Sequence, residues 1–225
     1  MKNTTERKMG FFLVIDGIDG CGKSTQSKLI QKYYKKRGTK VHLTSEPSQG
    51  QLGKILRQYL TDDKIPTALD ALLFAADRID HCYREILPKL KEGQLVVSDR
   101  YRDSSYIYQS VQGMSKQENV SMEWVKTINE KSFNPDLTII LDIDPKLSLN
   151  RRIKYNKENA EELEKFEQVD FQKQVRKEFL KIAKNKSNQN VDRHVVVDGS
   201  RPIEKVFEEI ISILEDSPMR KKCGL

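Results

Sequence analysis

Long apolar runs are missing from this sequence. Its 225 residues contain no stretch that approaches membrane-spanning length, and the opening MKNTTERKMG has no signal-peptide core. The expectation is a soluble, cytoplasmic protein with no membrane partner. Cysteine is scarce. Cys21, Cys82 and Cys223 form neither a metal-ligand nor a redox spacing, and they read as free thiols in a reducing compartment. The three histidines (His42, His81, His194) are equally uninformative. No Ser-His-Asp set and no cluster of metal ligands emerges. An Asn-Lys-x-Asp guanine motif is also absent, because the nearest candidate, Asn185-Lys186-Ser187-Asn188, ends in asparagine. That removes the support for a GTPase.

What is present starts at the N-terminal end. Residues 11–25 read FFLVIDGIDGCGKST and contain Gly17-x-x-x-x-Gly22-Lys23-Ser24, the pattern of a phosphate-binding loop. An apolar run reading as a buried strand precedes it, and a helical pattern follows from Ser24 to Arg37. Such a loop presents backbone N–H groups and the positive end of a helix dipole to an anion. The backbone of Gly17, Ile18, Asp19, Gly20, Cys21, Gly22, Lys23, Ser24 and Thr25 is therefore the candidate triphosphate cradle. Lys23 reaches the β- and γ-phosphates, and the Ser24 hydroxyl is a ligand for Mg²⁺. The formal net charge of +7 fits polyphosphate ligands or nucleic acid, and a solvated lysine surface accounts for it as well.

Apolar, β-branched runs recur at 11–15, 41–43, 95–97, 137–143 and 195–197. Each is short and nearly continuous, as in strands buried on both faces. Helical patterns alternate with them: Ser24–Arg37, residues 68–91 with a kink or stop at Pro88, and residues 202–214 opened by Pro202. The alternation predicts an α/β fold, a five-stranded parallel sheet with helices on both faces. The expected organisation is a flexible leader over 1–9, one domain over 10–216 and a loose polar tail over 217–225. Within the domain, 151–167 opens the highly charged stretch RRIKYNKENAEELEKFEQVD. It reads either as a solvated helix or loop, or as a mobile lid whose arginines close over phosphates.

Several smaller motifs carry chemistry. Leu95-Val96-Val97-Ser98-Asp99 is a strand ending in a carboxylate that can hold Mg²⁺ or its waters. Arg100 follows at the strand's carboxyl end, where open α/β sheets bind ligands, and a guanidinium there suits bidentate capture of a phosphate. A structural Asp–Arg pair is the plain alternative. On a helix, Ser105 and Gln109 share a face, as do Ser104 and Tyr108. Such a row suits base and sugar recognition, or simply an exposed helix face. Phe74 and Arg78 stand four apart, a ring to stack on a base and an arginine to pair with it; a core phenylalanine beside a surface arginine fits equally. Glu46 ends the second strand before Pro47. Asp19 is unusual among phosphate-binding amides, so its carboxylate suits a sugar hydroxyl of a second substrate.

Together these segments resemble the thymidylate kinase family. The resemblance runs from Phe11 to about Leu214 and rests on the Gly17–Thr25 loop, Leu73-Phe74-Ala75-Ala76-Asp77-Arg78, and Asp99-Arg100-Tyr101 with Ser104-Ser105 and Tyr108-Gln109. Pro135-Asp136-Leu137-Thr138 and Asp142-Ile143-Asp144-Pro145 add to it. The resemblance implies transfer of the ATP γ-phosphoryl to dTMP, with Mg²⁺ as cofactor, no nucleic-acid partner and a homodimer. By the same resemblance, Asp19 would bind the deoxyribose 3′-hydroxyl, and Phe74 would stack on thymine. Gln109 would face the base, and Tyr108 would crowd a ribose. Arg78 and Arg100 would handle the base and the acceptor phosphate, and Arg57 would approach that phosphate too. Glu46 is carried over, whereas Ser45 stands where many members have arginine. The Asp198–Pro202 stretch with Arg201 would lie against adenine. Some members keep a catalytic arginine in the phosphate loop. Here that slot is Gly20, so the charge would come from the lid, with Arg151 matching its first arginine and Arg152 or Lys154 as substitutes. The alternatives are another P-loop nucleoside or nucleotide kinase, or a nucleic-acid-binding ATPase.

Overall fold

The computed structural model describes residues 9–62, 64–155, 169–187 and 192–224. Five strands form one parallel sheet: β1 (Phe11–Asp16), β2 (Val41–Ser45), β3 (Leu95–Asp99), β4 (Leu137–Asp142) and β5 (Arg193–Asp198). Their spatial order is β2-β3-β1-β4-β5. Every residue of β1 is buried, which is why its sequence shows no alternation. Phe11, Leu13 and Ile15 point into a core with Ile30 and Tyr34 of α1 (Lys23–Lys35) and Val206, Ile210 and Leu214 of α9 (Ile203–Glu215). Phe12 and Val14 face the other way, onto Cys82, Ile86 and Leu90.

Parallel register places the carboxyl ends of the central strands side by side. Ile15 pairs with Asp99, and Ser45 pairs with Asp99 across β3. Asp16, Glu46, Asp99 and Arg100 therefore meet at one edge of the sheet. Strand order reverses between β1 and its neighbours, the crevice where such sheets bind ligands.

The helical stretch over 68–91 is three pieces. These are α3 (Thr67–His81), a π-helical turn over Cys82–Ile86, and α4 (Leu87–Lys91). Pro88 has no N–H and its ring would strike the carbonyl one turn back. The chain widens just before it, and the Leu87 N–H reaches the Cys82 carbonyl.

The remaining helices are α2 (Gln51–Tyr59), α5 (Arg102–Ser115), α6 (Met122–Ile128), α7 (Pro145–Tyr155), α8 (Val169–Lys186) and α10 (Met219–Cys223). The last corrects the expectation of a loose tail. Met219 is fully buried in the main core, and Lys222 pairs with Asp136, whose other oxygen accepts the Phe12 N–H at 2.8 Å. One apolar anchor and one ion pair dock this short helix against the start of β1. Residues 1–8 of the expected leader and 156–167 of the expected lid lie outside the described residues. Among the described residues no helix is long and apolar enough to cross a membrane.

Candidate functional site

The phosphate loop turns on three glycines with positive φ, Gly17 at 135°, Gly20 at 76° and Gly22 at 106°. Lys23 opens α1, and its ammonium lies inside the loop's curl. It donates to the carbonyls of Gly17 at 3.1 Å and Ile18 at 2.8 Å. Thr25 is exposed on the first turn of α1. The Ser24 hydroxyl donates to the Asp99 carboxylate, because β1 and β3 are neighbours in register. A hydroxyl and a carboxylate oxygen together are hard donors. They fit Mg²⁺, which takes one or two protein oxygens and completes its shell with water and phosphate oxygens. Among the described residues no three His, Cys, Asp or Glu side chains converge into a metal cage.

Gly20 is packed from above. A Cβ there would lie 2.7 Å from the Arg152 Cγ, 2.7 Å from the Ser148 carbonyl and 2.9 Å from the Ser148 hydroxyl. Ser148 also donates to the Asp19 carbonyl, so α7 is clamped on the loop. Gly20→Ala forces a left-handed residue, costing roughly 1–2 kcal/mol, and overpacks this contact. The expected loss of stability is about 3 kcal/mol, read as a lowered denaturation midpoint.

On the donor side, the turn after β5 rests against the loop. A Cβ on Gly199 would lie 3.3 Å from the Cys21 carbonyl. Arg201 is tied to the Asp198 carbonyl at 3.2 Å and to Glu209. Arg151 donates to the carbonyls of Gly199 at 2.7 Å and Ser200 at 2.9 Å. Its guanidinium thus braces this turn, whereas the Arg152 chain lies over Gly20 and acts electrostatically on Asp19.

Arg100 joins the two halves of the site. It sits at φ 69°, a conformation that non-glycine residues hold only when their surroundings impose it. Its guanidinium donates to the Ser104 hydroxyl at 2.8 Å and to Tyr108 at 3.4 Å, pairs with Asp19, and lies 4.0 Å from Asp16. Burial would raise the Asp19 carboxyl, but the charges of Arg100, Lys23 and Arg152 outweigh it and bring its pKa to about 2. Asp19 is therefore an ionised acceptor at any working pH. Asp16 differs. Burial dominates over Arg100, the Ser104 hydroxyl, Lys23 and the Gly17 N–H, and its pKa is pushed up to about 6.

Beyond Arg100 lies a cavity of about 200 Å³. It is lined by Asp19, Glu46, Phe74, Arg78, Arg100, Ser104, Ser105, Tyr108 and Gln109. Nine residues proposed from four separate segments of sequence thus share one space. Arg57 does not line it; it donates to the carbonyl of Pro47, which does, at 2.7 Å. Arg78 is almost wholly buried. Its N–H groups go to Glu46 at 2.8 and 2.6 Å, to Ser105 at 3.2 Å and to Asn129. One of its five N–H groups is left for a ligand, so its larger part here is to hold Glu46 and Ser105 in place. The second oxygen of Glu46 faces His81 at 3.3 Å.

Sequence reasoning missed Asp16, Asp70, Leu60, Pro47 and Tyr101 as parts of this site. The signal for Asp16 was a carboxylate ending an otherwise apolar strand. For Asp70 it was an acid one helical turn before Phe74.

The sequence profile of the thymidylate kinase family matches residues 15–210. A probable thymidylate kinase of Pyrobaculum calidifontis is 38% identical over 205 residues, covering 91% of this chain and 95% of that protein. One of Pyrococcus horikoshii is 36% identical over 212 residues, covering 92% and 96%. One of Staphylothermus marinus is 37% identical over 207 residues, covering 91% and 94%.

Proposed function

The chain belongs to the thymidylate kinase family, ATP-using phosphotransferases that convert dTMP to dTDP, and from that premise we infer how its own residues carry out the transfer. The loop amides and Lys23 hold the ATP phosphates, with Thr25 on the adjoining turn. The turn at Gly199–Arg201 takes the adenine side. Ser24 and Asp99 hold Mg²⁺, which neutralises phosphate charge when bound. Phe74 stacks on the base and Gln109 reads its edge. Asp19, kept ionised, accepts from the sugar hydroxyl, and Tyr108 and Ser104 close the pocket around the sugar and Arg100.

Arg100 is the acceptor-phosphate residue. Its guanidinium touches both the phosphate loop, through Asp19, and the base-binding helix α5, through Ser104 and Tyr108. That bridge is the observation that carries the proposal. A phosphate nucleophile is already ionised and needs no general base; positioning and charge neutralisation do the work. The side-chain pairing agrees. Glu46 is engaged by Arg78 and His81, and Asp99 by Ser24, so neither is set up as the base a nucleoside hydroxyl would require.

The transition-state cation is Arg152, with Arg151 in a bracing part. The packing of Arg152 over Gly20 supports this, since Gly20 is the slot where some relatives carry the loop arginine. Residues 156–167 of the expected lid lie outside the described residues. A cytoplasmic homodimer serving dTTP biosynthesis is part of the same reading. Ile55 and Tyr59 on α2 and Leu69 and Leu72 on α3 expose apolar side chains on adjacent helices, which supports a subunit contact there.

The test is a panel of monophosphates with Mg-ATP. dTMP is expected to exceed AMP, GMP and CMP in kcat/KM by at least about 100-fold, because a site built to hydrogen-bond one base edge rejects others strongly. Equal or better turnover of another monophosphate would overturn the reading.

A further inference from the structure

Asp70 is a buried carboxyl in the acceptor cavity that neither the family resemblance nor the mechanism uses. It lies on α3 one turn before Phe74 and two turns before Arg78. The three share one face of α3, and the charges that act on Asp70 are Lys116 and Glu118 beyond the carboxyl end of α5, whereas Arg100 stands before its amino end. Asp70 lines the cavity, yet it is only 5% exposed. Its Oδ1 is fully buried with no hydrogen-bond partner. Gln109, which also lines the cavity, likewise has an unpartnered buried Oε1. Native proteins seldom leave such atoms orphaned; a water, an ion or a ligand completes them, and these two border a cavity large enough for a base.

The charged groups acting on Asp70 come from the segment after α5. Lys116 favours its ionised form and Glu118 opposes it, while the residue that follows α2, Leu60, adds only an apolar side chain to the same wall. The Lys116 ammonium donates to the Ile65 carbonyl at 3.1 Å, and Glu118 accepts the Thr67 N–H at 2.6 Å. Neither is bonded to Asp70. Burial dominates and pushes the Asp70 carboxyl up to about 6.

We propose that Asp70 is a specificity-determining residue of the acceptor pocket, binding the nucleotide as a neutral acid that donates a hydrogen bond to a ring carbonyl oxygen of a keto pyrimidine. The argument is one of matching edges. The imide edge of thymine offers a carbonyl oxygen beside an N–H. A protonated Asp70 supplies the donor and the Gln109 Oε1 supplies the acceptor. An ionised Asp70 presents a second acceptor instead and suits an exocyclic amine, as in cytosine. A carbonyl at the carboxyl group holds the proton on, so nucleotide binding takes up a proton from solution.

The inference rests on the proposed dTMP kinase function, and the experiment separates the two. Kinetics for dTMP and dCMP are measured for the full chain and for Asp70→Asn and Asp70→Ala. Proton uptake on dTMP binding is measured by calorimetry at pH 7.5 in buffers of different ionisation enthalpy. Asp70→Ala should raise the KM for dTMP about 10-fold and leave kcat within about 2-fold, since Asp70 is remote from the transferred group. Asp70→Asn should keep the lower KM, because its amide still donates, but bind dTMP with less proton uptake than the wild type. Its KM should also stay flatter from pH 6 to 8 than that of the wild type. The dTMP phosphate titrates in both proteins, so the difference between them belongs to Asp70. A KM in Asp70→Ala equal to the wild type, or equal proton uptake in wild type and Asp70→Asn, would overturn the inference while leaving the kinase reading intact. Absence of dTMP turnover in the wild type would overturn both.

Discussion

Arg100→Ala is expected to lower kcat/KM for dTMP by about 10³-fold, the low end of what one phosphate-directed arginine contributes to phosphoryl transfer. The loss has two parts. The acceptor phosphate loses its bidentate partner, and the Ser104–Arg100–Asp19 bridge that ties the cavity to the phosphate loop disappears. Arg100→Lys keeps the charge but cannot span the same acceptors, so it should recover only part of the activity. Steady-state kinetics on the three proteins check this, and a wild-type rate in Arg100→Ala would take Arg100 out of the site.

The same variant carries a stability signature. Without Arg100, Asp16 loses the largest charge that favours its ionised form, and Asp19 loses its ion pair. The pair is only partly buried, with the Arg100 side chain 19% and the Asp19 side chain 32% exposed. The cost near neutral pH is therefore about 2 kcal/mol, below that of a fully buried pair. The sign with pH follows from the shifts. The folded-state pKa of Asp16 is already raised to about 6 and climbs further in the variant. A raised carboxyl destabilises the folded state when ionised, and that penalty fades as pH falls through the folded value. The low value of Asp19, about 2, gives the wild type stability that is present above the ordinary aspartate range and lost as pH falls toward it. The Asp16 effect makes the wild-type advantage largest near neutrality and smaller toward pH 5, whereas the Asp19 effect is still fully present at pH 5 and is lost only below it. Denaturation midpoints at pH 7.5 and 5 measure it.

Arg152→Ala is the second large effect, an expected fall in kcat of about 10³-fold with little change in the KM for dTMP. Arg151→Ala should act differently. Arg151 holds the Gly199 and Ser200 carbonyls, so its loss loosens the turn on the donor side and raises the KM for ATP, with a smaller effect on kcat. A greater kcat loss in Arg151→Ala than in Arg152→Ala would reverse the assignment. Gly20 separates the two arginines. Resemblance makes Arg151 the lid's first arginine, whereas packing lays the Arg152 chain across the loop position that lacks a side chain.

This reversal shows what could be read in advance. The five strands were legible because burial on both faces leaves short, continuous apolar runs, and the phosphate loop because glycine spacing before a helix has a local cause. The residues that line the cavity were legible as motifs. Phe74 with Arg78 and Ser105 with Gln109 are helical neighbours, a relation that sequence contains. The bond from Arg57 to the Pro47 carbonyl was not legible, because it depends on how α2 sits against the turn after β2. The tail was misjudged because the burial of Met219 depends on a surface made by distant strands.

The five strands, the phosphate-loop turn and most of the residues that line the cavity were thus legible in the sequence alone, since each depends on periodicity or on neighbours within a few positions. Strand order, the meeting of Ser24 with Asp99, the two raised carboxyls Asp16 and Asp70, and the packing of Arg152 rather than Arg151 over Gly20 come only with the tertiary structure. Each of these depends on which distant groups exclude water from a side chain or supply its partner, and that is a property of packing in three dimensions.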